Sequence, residues 1–146
     1  MIPAYTRLEN QLKEIPSRLS RISEEKSTHR MAPGKWSKKE ELGHLIDSAA
    51  NNHQRFVRMQ TANGLNLSYY EQEAWVKVQH YHSIAWNDIV KLWLVYNTHL
   101  LHIMRYVDEA SLLHTAHFPD GAEHSLGFLL DDYVVHMEHH LKTILS

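Results

Sequence analysis

The five consecutive residues His136-Met137-Glu138-His139-His140 are the most chemically pointed stretch of the chain. On a helix, His136 and His140 are four positions apart, share a face and bring two imidazoles within reach of one metal ion. Two ligands make only a bidentate clamp. A site that keeps a position open for water or substrate commonly uses three protein ligands, so a third must come from another helix. His44 is the candidate. At roughly 100° per residue, the apolar arc of the segment centres near Leu126, Leu130, Met137 and Ile144, and His140 lies nearer to it than His139 does. That favours His136 with His140. The same spacing also arises at the polar rim of a helix interface, because histidine is common here, with 13 copies against 15 Lys and Arg together.

The segment around His44 sets a second question. Leu42, Leu45, Ile46, Ala49 and Phe56 fall on one side of a helix, and Glu40, His44, Asp47, Asn51, Arg55 and Arg58 line the other. The polar row is either a solvated face or the wall of a cleft. As a wall, it puts His44 on a metal, with Asp47, Asn51 or Arg55 placed to orient substrate or ligands. Glu40 and Asp47 share a face with His44 and are the candidate catalytic carboxylates, suited to take a proton from an activated water. Asp132, one turn before His136, suits a different task, accepting that ligand's second ring N–H.

Composition narrows the field. The formal charge is 15 − 17 = −2, which argues against nucleic-acid binding by bulk charge. With no cysteine there is no disulfide framework, no zinc-thiolate site and no thiol nucleophile, so any metal is held by His, Asp or Glu. This composition fits a reducing compartment. The N-terminal residues MIPAYTRLENQLKEI alternate charged and apolar types, so no signal peptide is expected. No run approaches the roughly 18 apolar residues of a membrane span. The expected location is the cytoplasm, and the length fits one domain over residues 1–146.

The elements that must position these histidines follow from periodicity. Five Gly, four Pro and apolar residues at three- and four-residue spacing predict an all-α four-helix bundle. The first helix runs from about Tyr5 to the Ile22 region, and Pro16 is expected to break or offset it. Ser37-Lys-Lys-Glu40 has capping-box spacing, so the second helix starts near Ser37 and runs to about Ala62, with Asn63-Gly64 as a left-handed stop. A long crossover over 65–82 follows, with a short helix over 70–79. The third helix begins between Ser83 and Asn87 and ends near Val107. Residues 108–123 form an irregular link, and the last helix opens near Ser125.

Gly34-Lys35-Trp36-Ser37, then Gly43-His44-Leu45-Ile46-Asp47-Ser48 with Arg55-Phe56, and finally His136-x-x-His139-His140 occur in an order and separation that resemble the DinB superfamily, nearest its YfiT-like branch. Tyr69-Tyr70-Glu71-Gln72 with Trp75, and His117-x-Pro-Asp-Gly121, resemble the segments between, so the likeness covers most of the chain. The resemblance implies a four-helix bundle holding a divalent metal, zinc or nickel, on one histidine of the second helix and two of the last. Here these are His44, His136 and His140. It further implies either a metal-dependent hydrolase or a transferase that moves a low-molecular-weight thiol onto an electrophilic small molecule, and it is compatible with a homodimer. The alternative is a non-catalytic metal-binding or protein-interaction bundle. Trp75, Trp86 and Trp93 then form either a contact surface or part of the core.

Overall fold

The computed structural model describes residues 2–146. Leu8, Ile15 and Leu19 fall on one face of the first helix, α1 (Pro3–Ser20), and are buried. Pro16 lies inside α1 without ending it, so of the expected break or offset the break does not occur. Proline in a helix interior costs about 3 kcal/mol, whereas each fully buried Leu or Ile contributes roughly 1.5–3 kcal/mol, so the packed face outweighs the lost hydrogen bond. A short helix, α2 (Glu24–Thr28), follows. Ser23 caps it, a start signal that the sequence reading passed over.

The next helix, α3 (Lys38–Thr61), opens with the full capping box. Glu40 N–H donates to the Ser37 hydroxyl at 3.3 Å, and Ser37 N–H donates back to the Glu40 carboxylate at 3.0 Å. It ends one residue short of Ala62, whose backbone is extended. Gly64 does take a positive φ, +76°, but it serves the turn into the next strand and not the helix cap itself. The crossover contains β1 (Leu65–Asn66), α4 (Gln72–Gln79) and a single 3₁₀ turn over Tyr81–Ser83. Helix α5 (Trp86–Arg105) begins inside the expected window.

The link over 108–123 is more ordered than its sequence suggested. It holds α6 (Glu109–Leu112), capped by Asp108, and a hairpin of β2 (Thr115–His117) and β3 (Glu123–Ser125). The turn of the hairpin is closed by Phe118 N–H to the Ala122 carbonyl and by Gly121 at φ +87°. β2 also pairs in parallel with β1, Leu65 opposite Ala116, which makes a three-stranded sheet in the order β1-β2-β3. Ser125 then caps α7 (Leu126–Ile144).

Four long helices make the bundle. α3 packs on α5 and α7, and α1 packs on the same two, so α1 and α3 occupy one diagonal and α5 and α7 the other. The sheet joins the end of α3 to the start of α7, which sets these two antiparallel. At the other end, Lys38 donates to the Ile144 carbonyl and closes the start of α3 onto the end of α7. Trp86 and Trp93 are buried in the core and Trp75 is exposed. Among the described residues, no helix is long and apolar enough to cross a membrane.

Candidate metal centre

Two turns into α3, His44 is 1% exposed, with the Trp36 ring 5.0 Å from its own. From α7, His136 and His140 approach with ring centroids at 5.1 and 4.7 Å. The Nε2 atoms of His44 and His136 lie 3.2 Å apart, and one ring nitrogen from each of the three residues falls within 4.8 Å of the others. His139 is exposed and outside the group, as its place on the helical arc predicts. Burial, reinforced by the neighbouring ring charges, pushes His44 and His136 down to about 4, so both are neutral at pH 7 with a lone pair to offer.

Glu41 supplies the fixing contact. Its carboxylate lies 3.1 Å from His140 Nδ1, and an ionised carboxylate only accepts, so the ring donates Nδ1–H and leaves Nε2 for the cluster. The sequence reading missed Glu41. The available signal was its position one turn before His44 on the same helix. Asp132, expected to orient His136, lines the neighbouring cleft and makes no hydrogen bond to that ring among the described residues.

The polar row of α3 turns out to be graded. Glu40, His44 and Asp47 are buried, Asn51 and Arg55 half-buried, and Arg58 exposed. Glu40 serves the capping box and pairs with Arg30 at 3.0 Å. Asp47 Oδ1 accepts from Tyr81 and Gln79, each at 2.7 Å, while Oδ2 is buried without a partner, and burial holds the carboxyl above its usual range. Tyr81 reaches Asp47 across Gly43, where a Cβ would stand 2.3 Å from the tyrosine ring. Asp47 thus ties the crossover to the helix that carries His44.

A cleft of about 190 Å³ adjoins the cluster, bordered by Ser48, Asn52 and Arg55 of α3, Tyr70 of the crossover, and Asp132 and His136 of α7. The donor set suits a borderline metal ion. Two metal–nitrogen bonds of about 2.0–2.1 Å meeting at a tetrahedral angle separate their nitrogens by little more than 3 Å, close to the 3.2 Å between His44 and His136. Without a proton or cation between them, two neutral acceptor nitrogens at that distance repel. The donor set and the His44–His136 spacing therefore fit a divalent ion, with His140 the third imidazole of the group and the cleft bordered by His136.

The model of the DinB superfamily matches residues 7–144. No curated protein matches the chain. Among solved structures, YfiT from Bacillus subtilis, described as a probable metal-dependent hydrolase with an unusual four-helix bundle topology, superposes with a TM-score of 0.82 at 20% identity, over 96% of this chain and 83% of that one. A mycothiol-dependent maleylpyruvate isomerase superposes with a TM-score of 0.75 at 12% identity, over 94% of this chain and 57% of that one. At such identities the two structures speak for the fold alone. The family rests on the sequence match over nearly the whole chain: this protein belongs to the DinB superfamily.

Proposed function

We propose that the chain is a metal-dependent enzyme acting on a small molecule, with His44, His136 and His140 holding a divalent ion, zinc or nickel. The observation that carries this reading is the convergence of three imidazoles from α3 and α7 beside a cleft. A divalent ion there supplies Lewis acidity, so that a water or a small thiol loses its proton more readily at neutral pH. The protein's own part is to present neutral rings. Burial keeps His44 and His136 unprotonated, and Glu41 holds the tautomer of His140. For Asp47 and Glu40 we propose positioning in place of proton transfer. Neither borders the cleft, and each is engaged elsewhere, Asp47 with Tyr81 and Gln79, Glu40 with Ser37 and Arg30.

Hydrolysis and thiol transfer share this machinery and differ in the attacking atom. YfiT is described as a probable hydrolase and the isomerase as mycothiol-dependent, which supports keeping both reactions in the test. Metal analysis of the untagged protein, with each of the three histidines changed to Ala in turn, checks the ligands. Stoichiometric metal surviving all three changes overturns the assignment. An activity screen with and without added thiols then separates the reactions. Turnover that needs both thiol and metal marks a transferase, and thiol-independent turnover marks a hydrolase. Bound metal with no turnover in either arm favours a metal-binding bundle without catalysis.

A further inference from the structure

Arg55 lies about three turns along α3 from His44, on the same polar row. Its guanidinium is half-buried. Nη2 donates to the Ser68 carbonyl at 2.9 Å, and the guanidinium carbon stands 5.3 Å from the centre of the Phe118 ring. Other cations of the chain face carboxylates, the buried Lys39 against Glu24 and the more exposed Arg7 against Glu138, both at 2.6 Å. Among the described residues Arg55 has no such partner.

A guanidinium drawn out of water without a counter-charge is destabilised unless something compensates for it. Burial works against the Arg55 charge, and the attraction of Asp132 offsets this only in part. One of its five N–H donors is taken by Ser68, and the planar fork keeps donors for a planar acceptor. The surroundings are built of polar groups: Ser48 and Asn52 are buried, and burial first of all pushes the Tyr70 hydroxyl up to about 12, so it stays a neutral donor. His136 lines the same cleft.

We propose that Arg55 is a carboxylate-binding subsite, which takes the acid group of a small organic acid and leaves the rest of that molecule pointing toward His136. This deepens the small-molecule reading above and rests on it. The cleft volume of about 190 Å³ is below the roughly 300–1,000 Å³ usual for drug-sized ligands, so the fitting occupant is a compact acid. Asp132, the one carboxylate among the residues that line the cleft, disfavours a second negative group beside it.

The test uses chelator-treated, metal-free protein, so that no ion competes for the acid. Isothermal titration with succinate is compared with titration by its neutral analogue succinamide. We expect saturable one-to-one binding of succinate, weaker by roughly tenfold or more for succinamide on the unaltered chain and for succinate on Arg55→Gln, with partial retention in Arg55→Lys. Arg58→Gln, one turn on and exposed, changes binding by less than about twofold. Equal affinity for succinate and succinamide overturns the proposal without relying on any variant. So does an Arg55→Gln protein that binds like the parent, or an equal loss in Arg58→Gln, which signals general surface charge. Because no metal is present, these failures leave the three-histidine centre untouched, and loss of that centre under metal analysis leaves the Arg55 result standing.

Discussion

His140 and Glu41 meet across two antiparallel helices, ring Nδ1 to carboxylate oxygen at 3.1 Å. The helix that supplies the most buried imidazole thus also aims a second one, which belongs to its neighbour. Glu41 and His44 are three positions apart, so one turn of α3 delivers both a prospective ligand and the group that orients another.

Glu41→Gln keeps the shape and removes the charge. We expect divalent metal affinity to fall about 10–100-fold, measured by competition with a chromophoric chelator. Glu40→Gln serves as the contrast: its carboxylate sits on Ser37 and Arg30, so thermal stability falls while affinity stays within about threefold.

Gly43→Ala places a methyl carbon 2.3 Å from the Tyr81 ring. Overpacking of this kind costs about 1–3 kcal/mol, read as a melting temperature lower by several degrees. Tyr81→Phe removes only the hydroxyl on Asp47 and is expected to cost about 1 kcal/mol.

Acid should weaken the metal-free protein. His44 and His136 are pushed down to about 4 from 6.5, so between those values the unfolded chain binds more protons than the folded one. The stability tied to these rings is complete above pH 6.5 and is lost as the pH falls toward 4. Melting curves at pH 7.5, 6 and 5 check this, and His44→Gln flattens the slope.

Tyr133 donates to the side-chain oxygen of Asn97 at 2.5 Å, and both are buried. Tyr133→Phe strands that acceptor and is expected to cost about 1–3 kcal/mol in denaturant unfolding. Adding Asn97→Leu removes the stranded group as well, and the double variant recovers part of the loss.

Periodicity made the four long helices readable, and Ser37-Lys-Lys-Glu40 and Ser125 announce the starts of α3 and α7 through hydrogen bonds local to the sequence. The pairing of His136 with His140 was readable for the same local reason: the angle between positions on a helix needs no tertiary information. Pro16 misled because a local rule met a tertiary override, the buried face of α1. The hairpin before α7 was hidden because its strands have three residues each and gain order from β1, about fifty positions earlier. Whether the α3 row was solvated or buried depended on what covers it, and Glu41 depended on where α7 lies. Neither is a property of α3 alone.

The packing of α3 against α7, which the whole of α5 separates along the chain, has a temporal consequence. His44 and His136 are separated by 92 positions, and no local hairpin brings them together. Long loops must close before distant contacts repay them, so this centre is among the last features to assemble. Until α7 docks, His44 stands without either of its ring partners, so the three-imidazole cluster exists only once that helix is in place.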